Sequence, residues 1–120
     1  MAMTPKELLN QLMQTEGAMC AALVDSSSGM LLESVGTGVD LELAAAGNTE
    51  VVRAKMKTMK SLGMQGAIED ILISLTHQYH IIRPVAKHEG LFIYYVLDRA
   101  RSNLAMARRK VLEAEAQTAI

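Results

Sequence analysis

Between two strand-like blocks the sequence holds an unbroken helical pattern, Asp40–Leu62, longer than any other in the chain. At 100° per residue, Leu41, Ala45, Asn48, Val52, Met56, Met59 and Leu62 share one face, the spacing of a helix seated on a core. A second stripe, Leu43, Gly47, Val51, Ala54 and Thr58, lies roughly a quarter-turn or more away. Its side chains are small or modest, so another backbone can come close. One stripe seats the helix on its own sheet and the other is left over. Soluble domains rarely leave such a surface bare, so the second stripe points to a partner.

The core available to this helix is aliphatic. At 120 residues the chain is one domain with a single core. Half of its residues are hydrophobic, yet only 3% are aromatic and there is no Trp, so nine Met residues serve as adaptable filler. A net charge of −1 gives no support for nucleic-acid binding. The lone Cys20 excludes an internal disulfide and fits a reducing compartment. The apolar runs Ala18–Val24 and Leu91–Leu97 fall far short of the ~20 residues that span a bilayer, and the N-terminus lacks the build of a signal peptide. A cytoplasmic protein is expected, with no membrane insertion.

Taken in order, Thr4-Pro5-Lys6-Glu7 is a helix start: a capping Thr, a Pro at the first position and a Glu that completes a capping box. Leu8, Leu9, Leu12 and Met13 form its apolar face, and Gly17 is the expected stop. Ala18–Val24 reads as a central strand covered on both faces, and Met30–Val35 returns from the turn Asp25–Gly29 to make a hairpin. Thr37 or Asp40 caps the long helix, whose acidic first turns and basic last turns suit its dipole, and Gly63 and Gly66 end it. Strands are expected at Ile68–Leu75, Tyr79–Val85 and Leu91–Leu97, with Pro84 leaving the end of the fourth unpaired or at an edge. Asp98 or Ser102 then caps a last helix with an apolar face of Leu104, Ala107, Val111 and Leu112. The order is α-β-β-α-β-β-β-α, an α+β chain.

A search for chemistry is nearly empty. Gly36-Thr37-Gly38 lies between strand and helix, but Leu41 stands where a dinucleotide loop needs its third glycine, and Asp40 and Glu42 would repel phosphate. It reads as a helix-entry turn. His77 and His80, three apart on a strand, fall on opposite faces and lack further ligands at zinc spacing; they and His88 read as exposed strand-end or turn residues. Cys20 reads as a small core hydrophobe, and the adjacent Glu69 and Asp70 point apart. Arg99, Arg101, Arg108, Arg109 and Lys110 wind around the last helix without stacking aromatics, as a solvated surface does. Asn48 in the core stripe either meets water or a carbonyl, or pairs with its symmetry mate to set register. No catalytic, cofactor or metal site is expected.

The leading helix, then Glu16-Gly17-Ala18 opening an apolar strand, then Leu23-Val24-Asp25 and the turn to Gly29-Met30-Leu31-Leu32-Glu33-Ser34, resemble the Roadblock/dynein light chain family, in its bacterial single-domain form. The last helix adds to it: Ala100-Arg101-Ser102-Asn103-Leu104-Ala105-Met106-Ala107-Arg108 is similar to that family's asparagine-leucine, small, then arginine ending. The likeness spans about Pro5 to Glu115; the related longin architecture lacks the leading helix. It implies a five-stranded antiparallel sheet with the long middle helix on one face and the two terminal helices on the other. It also implies a homodimer made by pairing the middle helices and joining the third strands, which here would use Leu43, Gly47, Asn48, Val51, Ala54, Thr58, Ile71 and Ile73. The family's roles are non-catalytic, as scaffolds and as regulators of Ras-like small GTPases. Glu50, Arg53 and Lys57 form a mixed polar surface suited to such a partner. An arginine finger at Arg53 is the less expected use of that residue. The rival reading is a small-molecule sensor of PAS or profilin-like kind, with Met56, Met59 and Met64 lining a pocket.

Overall fold

The computed structural model describes residues 3–117. Helix α1 (Pro5–Leu12) starts as its sequence dictates: the Glu7 amide donates to Thr4 Oγ1 at 3.3 Å and the Thr4 amide to Glu7 Oε1 at 3.0 Å, a reciprocal capping box. These bonds hold the exposed Glu7 carboxyl below its ordinary pKa. Its end differs from expectation, for α1 stops at Leu12 with Met13 as C-cap. Gly17 has another use. It opens strand β1 (Ala18–Asp25) at φ +86°, and a Cβ there would stand 2.8 Å from Ser102 Cβ, so the glycine lets the chain leading to the last helix pass close by.

β1 pairs with β2 (Met30–Gly36) through a hairpin whose turn is built by Asp25. Its carboxylate accepts from the Ser27 amide and hydroxyl and from Ser28 Oγ, and Gly29 supplies the left-handed residue at φ +79°. Asp40 caps α2 (Leu41–Ser61) by accepting from the Leu43 amide at 3.2 Å; Thr37 does not. β3 (Ile71–Ser74), β4 (Gln78–Pro84) and β5 (Leu91–Asp98) complete one antiparallel sheet in the order β2-β1-β5-β4-β3. The last helix, α3 (Leu104–Gln117), is capped by Asn103, whose Oδ1 accepts from the Met106 amide at 3.0 Å, and not by Asp98 or Ser102. Asp98 is already occupied, accepting from the Ala100 amide to close the turn before it.

β3 is shorter than the apolar run Ile68–Leu75 suggests. Ile71 pairs with Ile82; the next partners in line would be Arg83 and Pro84, and Pro84 has no N–H to give. Asp70 turns away to take a two-pronged bond from Arg108 on α3, at 2.9 and 2.8 Å. Glu69 and Asp70 therefore precede the strand, and Arg108 is not merely solvated.

The sheet separates two cores. On one face α1 and α3 pack Leu8, Leu9, Leu12, Ala107, Val111 and Ala114 over Ala21, Leu23, Ile81, Ile93 and Tyr95. The Tyr95 hydroxyl donates to the Leu12 carbonyl at 2.6 Å and so ties α1 down. On the other face α2 seats Ala45 and Val52 over Cys20, Ala22, Val24, Ile82, Phe92 and Val96. One helix on one face and two on the other is the arrangement the resemblance implies. α3 is also clasped to β4: the buried Glu115 carboxylate accepts from Arg83 Nε and Nη2 at 3.3 and 3.2 Å and from the Ala86 amide at 3.3 Å.

Candidate interaction surface

The seat of α2 is narrow. Its fully buried residues are Ala45, Thr49 and Val52, with none beyond Val52, and α2 rests on β1 and β2. Met56 and Leu62, placed on the core face by periodicity, are 53% and 66% exposed. Periodicity registers which side of a helix faces inward, but not how far the sheet extends beneath it. Under the second half lies an open cleft of about 590 Å³, lined by Val51, Lys55, Met59, Ile68 and Ile71 among others. Met59 thus lines a cleft, while Met56 and Met64 face outward.

The second stripe lies opposite this seat. Leu43 is 71% exposed and Val51 38%, and Gly47, Ala54 and Thr58 are exposed beside them. A Cβ on Gly47 would meet nothing within 4 Å, so the glycine has no packing duty inside its own chain. Asn48 differs from its companions. It is half-buried beside the Tyr94 hydroxyl of its own sheet. Ile71 and Ile73 are half-buried on the α2 face of β3, packed against the α2-side core.

β2 and β3 are the sheet's two edges, and they are treated differently. β2 carries a bulge between its pairings with Leu23 and Val24, and Lys6 Nζ donates to the outward Ser34 carbonyl at 2.9 Å while pairing with Glu33 at 3.4 Å. A bulge and a lysine on an edge are standard guards against strand addition. Among the described residues no side chain is hydrogen-bonded to the backbone of Ile71–Ser74; the nearest such bond, from Arg99 Nη1, falls on Leu75. The β3 edge, which adjoins the cleft under α2, lacks such a guard.

Glu50, Arg53 and Lys57 are exposed along one flank of α2. The guanidinium of Arg53 donates to the Ser27 carbonyl, tying that flank to the β1–β2 turn. The Asp25 carboxyl there lies below its usual pKa, mainly because it accepts from Ser27, with a smaller contribution from Arg53.

The other chemistry-bearing residues are dispersed. Gly36 lies at φ +82°, where a Cβ would be driven onto the Met19 carbonyl oxygen; the Gly36-Thr37-Gly38 turn is glycine-rich to let β2 leave β1 closely. Cys20 is fully buried, and burial pushes its thiol up to about 11. His77 and His88 are exposed, but His80 is half-buried and hydrogen-bonded on both ring nitrogens, which corrects the view of it as an exposed strand-end residue. Among the described residues no cluster of His, Cys, Asp or Glu could hold a metal ion, and no helix is long and apolar enough to cross a membrane. Sequence reasoning missed Thr49, whose hydroxyl is buried because it returns to the Ala45 carbonyl at 2.7 Å. It also missed Tyr94 and His80, adjacent only across two strands.

No protein-family model matches the chain, and no curated protein matches it. Solved structures do. MglB of Myxococcus xanthus superposes with a TM-score of 0.82 at 18% identity, covering 93% of this chain and 89% of that one. A Roadblock/LC7 domain from Streptomyces avermitilis gives 0.80 at 14% identity, covering 95% and 93%. An MglB structure described as having a tetrameric arrangement gives 0.68 at 16% identity, covering 92% and 86%. At such identities the likeness is one of fold, and it spans nearly the whole chain. The chain has the Roadblock/LC7 fold.

Proposed function

We propose that the protein is a non-catalytic homodimeric adaptor that presents its paired α2 helices to a Ras-like small GTPase. The observation that carries the dimer is the bare stripe Leu43, Gly47, Val51, Ala54 and Thr58, which faces away from the seat of α2 and reaches, at Val51, the cleft beside the unguarded β3 edge. Gly47 and Ala54 let two helix axes approach to roughly 8 Å. Charge favours an antiparallel pair. The first half of α2 and its cap carry Asp40, Glu42 and Glu50, and the second carries Arg53, Lys55, Lys57 and Lys60, so a two-fold sets opposite ends together. An antiparallel pair centred near Val51 places Leu43 against Thr58 and Gly47 against Ala54. The solved MglB structure with a tetrameric arrangement supports self-association in this fold.

The GTPase reading rests on the family resemblance together with the exposed flank Glu50, Arg53 and Lys57, which borders the stripe. With Arg53 bound to Ser27, that flank serves as a docking edge better than as a source of a catalytic finger.

Val51→Cys tests the dimer. A cysteine on the two-fold sits within the roughly 4.4–6.8 Å Cα separation that a disulfide needs, so mild oxidation links two chains. Cys20, fully buried, contributes nothing to that product. A chain that is monomeric by light scattering at micromolar concentration and yields no cross-link overturns the reading. For the partner, affinity capture from the native cell in the presence of GTP is expected to recover a small GTPase, and Lys57→Glu with Glu50→Lys to lose it.

A further inference from the structure

A chain of polar side chains crosses the apolar α2 face of the sheet. The Tyr94 hydroxyl stands 2.9 Å from His80 Nδ1, and His80 Nε2 stands 2.8 Å from Gln78 Oε1. The two rings meet edge to face, with centroids 5.4 Å apart. Gln78 Nε2 lies 3.8 Å from Met19 Sδ. Asn48 of α2 also lies within hydrogen-bonding reach of the Tyr94 hydroxyl. Tyr94 is 1% exposed and His80 half-buried, so water replaces these partners poorly.

Valence sets the direction of the chain. The Gln78 carbonyl oxygen only accepts, so His80 Nε2 carries the hydrogen. Neutral His80 then offers Nδ1 as an acceptor, and the Tyr94 hydroxyl donates to it. We propose that this chain is a proton-sensitive seat for α2, in which a solvent proton taken up at His80 Nδ1 reverses the bond to Tyr94 and loosens the helix at Asn48. The imidazolium donates from both nitrogens, so the Tyr94 oxygen must accept and its own hydrogen must find another acceptor. Asn48 acts on the Tyr94 hydroxyl in the direction that lowers its pKa, as a donated amide hydrogen does, so for its side-chain oxygen to accept the Tyr94 hydrogen the amide must reorient. Asn48 follows Ala45 and precedes Thr49 and Val52, the three fully buried residues of α2. A change there acts where the helix has its whole grip.

The groups around His80 oppose the proton or are silent. From β5 it faces Tyr94, whose hydroxyl burial pushes up to about 12, and Val96; beyond Val96 on β1 lies Cys20, protonated at the same pH values. β3 sets Ile73 opposite it, and α2 offers the neutral Asn48. The carboxylate nearest in register is Asp98, opposite Gln78, and it is turned to the Ala100 amide. The basic group on this side of α2 is Lys55, lining the cleft over Ile71. Burial lowers the His80 pKa below its ordinary value. The folded chain therefore binds fewer protons than the unfolded one, and stability falls as pH drops below about 6.5.

The test reads α2 directly; because residues 45–56 include part of the stripe proposed to pair, it is run at one protein concentration with the oligomeric state checked by light scattering at both pH values. Amide exchange, corrected for intrinsic rates, is compared at about pH 5 and about pH 7.5, with the three histidines followed by NMR. His80 is expected to titrate below the ordinary histidine value, and the amides of residues 45–56 to exchange at least several-fold faster at the lower pH, while α1 and α3 do not change. Tyr94→Phe removes the bond that reverses, so the pH dependence of α2 disappears while His80, still buried, titrates below its ordinary value. His80→Gln, which keeps an acceptor that cannot be protonated, holds α2 in the neutral-pH state throughout; it serves equally if the Phe variant does not fold. The proposal is overturned if His80 titrates at or above the ordinary histidine value, if α2 exchange does not change with pH, or if either folded variant keeps the wild-type pH response of α2.

Discussion

Replacing Gly47 with glutamate separates two effects that ordinarily run together, because they carry opposite signs in the monomer and the dimer. Within one chain the position is open, with nothing within 4 Å of where a Cβ would stand, so a larger side chain meets no steric resistance. Gly47 also sits inside α2, where glycine is a poor helix former, and a better one stabilises the helix by about 0.5–1 kcal/mol. The isolated chain should become more stable, raising Tm by roughly 2–5 °C for a domain of this size. In the proposed dimer the same position lies against Ala54 of the second helix. An uncompensated charge buried in such a contact costs about 3–5 kcal/mol, and the two-fold introduces it twice. Even if water at the rim relieves half of one copy's penalty and all of the other's, about 1.5–2.5 kcal/mol remains, and intermediate relief gives about 3 kcal/mol, a weakening of Kd by roughly 100-fold. The helix-propensity gain is common to both states and cancels from Kd. Sedimentation velocity across a concentration series measures the association, and thermal melts at the same concentrations measure the fold. A wild-type Tm that rises with concentration, beside a variant Tm that does not, is the expected pattern. If Gly47→Glu remains dimeric with Kd changed less than about threefold, which is under 1 kcal/mol, the stripe assignment is refuted.

Three further outcomes follow from the interior. Glu115→Ala leaves the half-sequestered Arg83 guanidinium and the Ala86 amide without their acceptor, and should cost about 3–5 kcal/mol in urea melts; Arg83→Met with Glu115→Leu should restore most of it, because an apolar pair carries no stranded charge. Gly36→Ala, at φ +82° with its Cβ driven onto the Met19 carbonyl, should destabilise well beyond the roughly 1 kcal/mol expected at Gly63, where φ is +70° but the space is open; equal losses at the two sites would discount the close approach. Cys20 should resist a thiol-specific disulfide reagent in the folded state at pH 8 and react once the chain is unfolded, since its thiol is fully buried and pushed up to about 11; rapid labelling of the native chain would contradict its placement.

Local chemistry is legible in the sequence where a signal is complete within a few residues. The Thr4–Glu7 capping box, the Asp25–Gly29 turn and the apolar run of β1 each follow from neighbours in sequence, and the element order follows from them. Boundaries set by a distant partner are not legible in this way. The length of β3 depends on Pro84 across the hairpin and on Arg108 from the last helix, neither adjacent to Ile68–Asp70 in sequence. The exposure of Met56 and Leu62 depends on where the sheet ends beneath α2. Asn48 falls in the core stripe on a helical wheel, but its polar neighbour Tyr94 belongs to a strand that no helical wheel includes.

By itself the sequence determined that α2 is long and two-striped, that its charges run from acidic to basic, and that one stripe is too small and apolar to be a solvated face. These are properties of one helix, written at 100° per residue, and they survive any tertiary arrangement. Tertiary structure decided which stripe is spent on the chain's own sheet and which is left bare, because that depends on the sheet's width and on the packing of Ala45, Thr49 and Val52 against it. It also decided that Lys6, brought from α1 to Ser34, guards one edge of the sheet while β3 is left without such a guard. Edges exist only once strands have been ordered side by side, and that ordering is made by long-range pairing that no local pattern encodes.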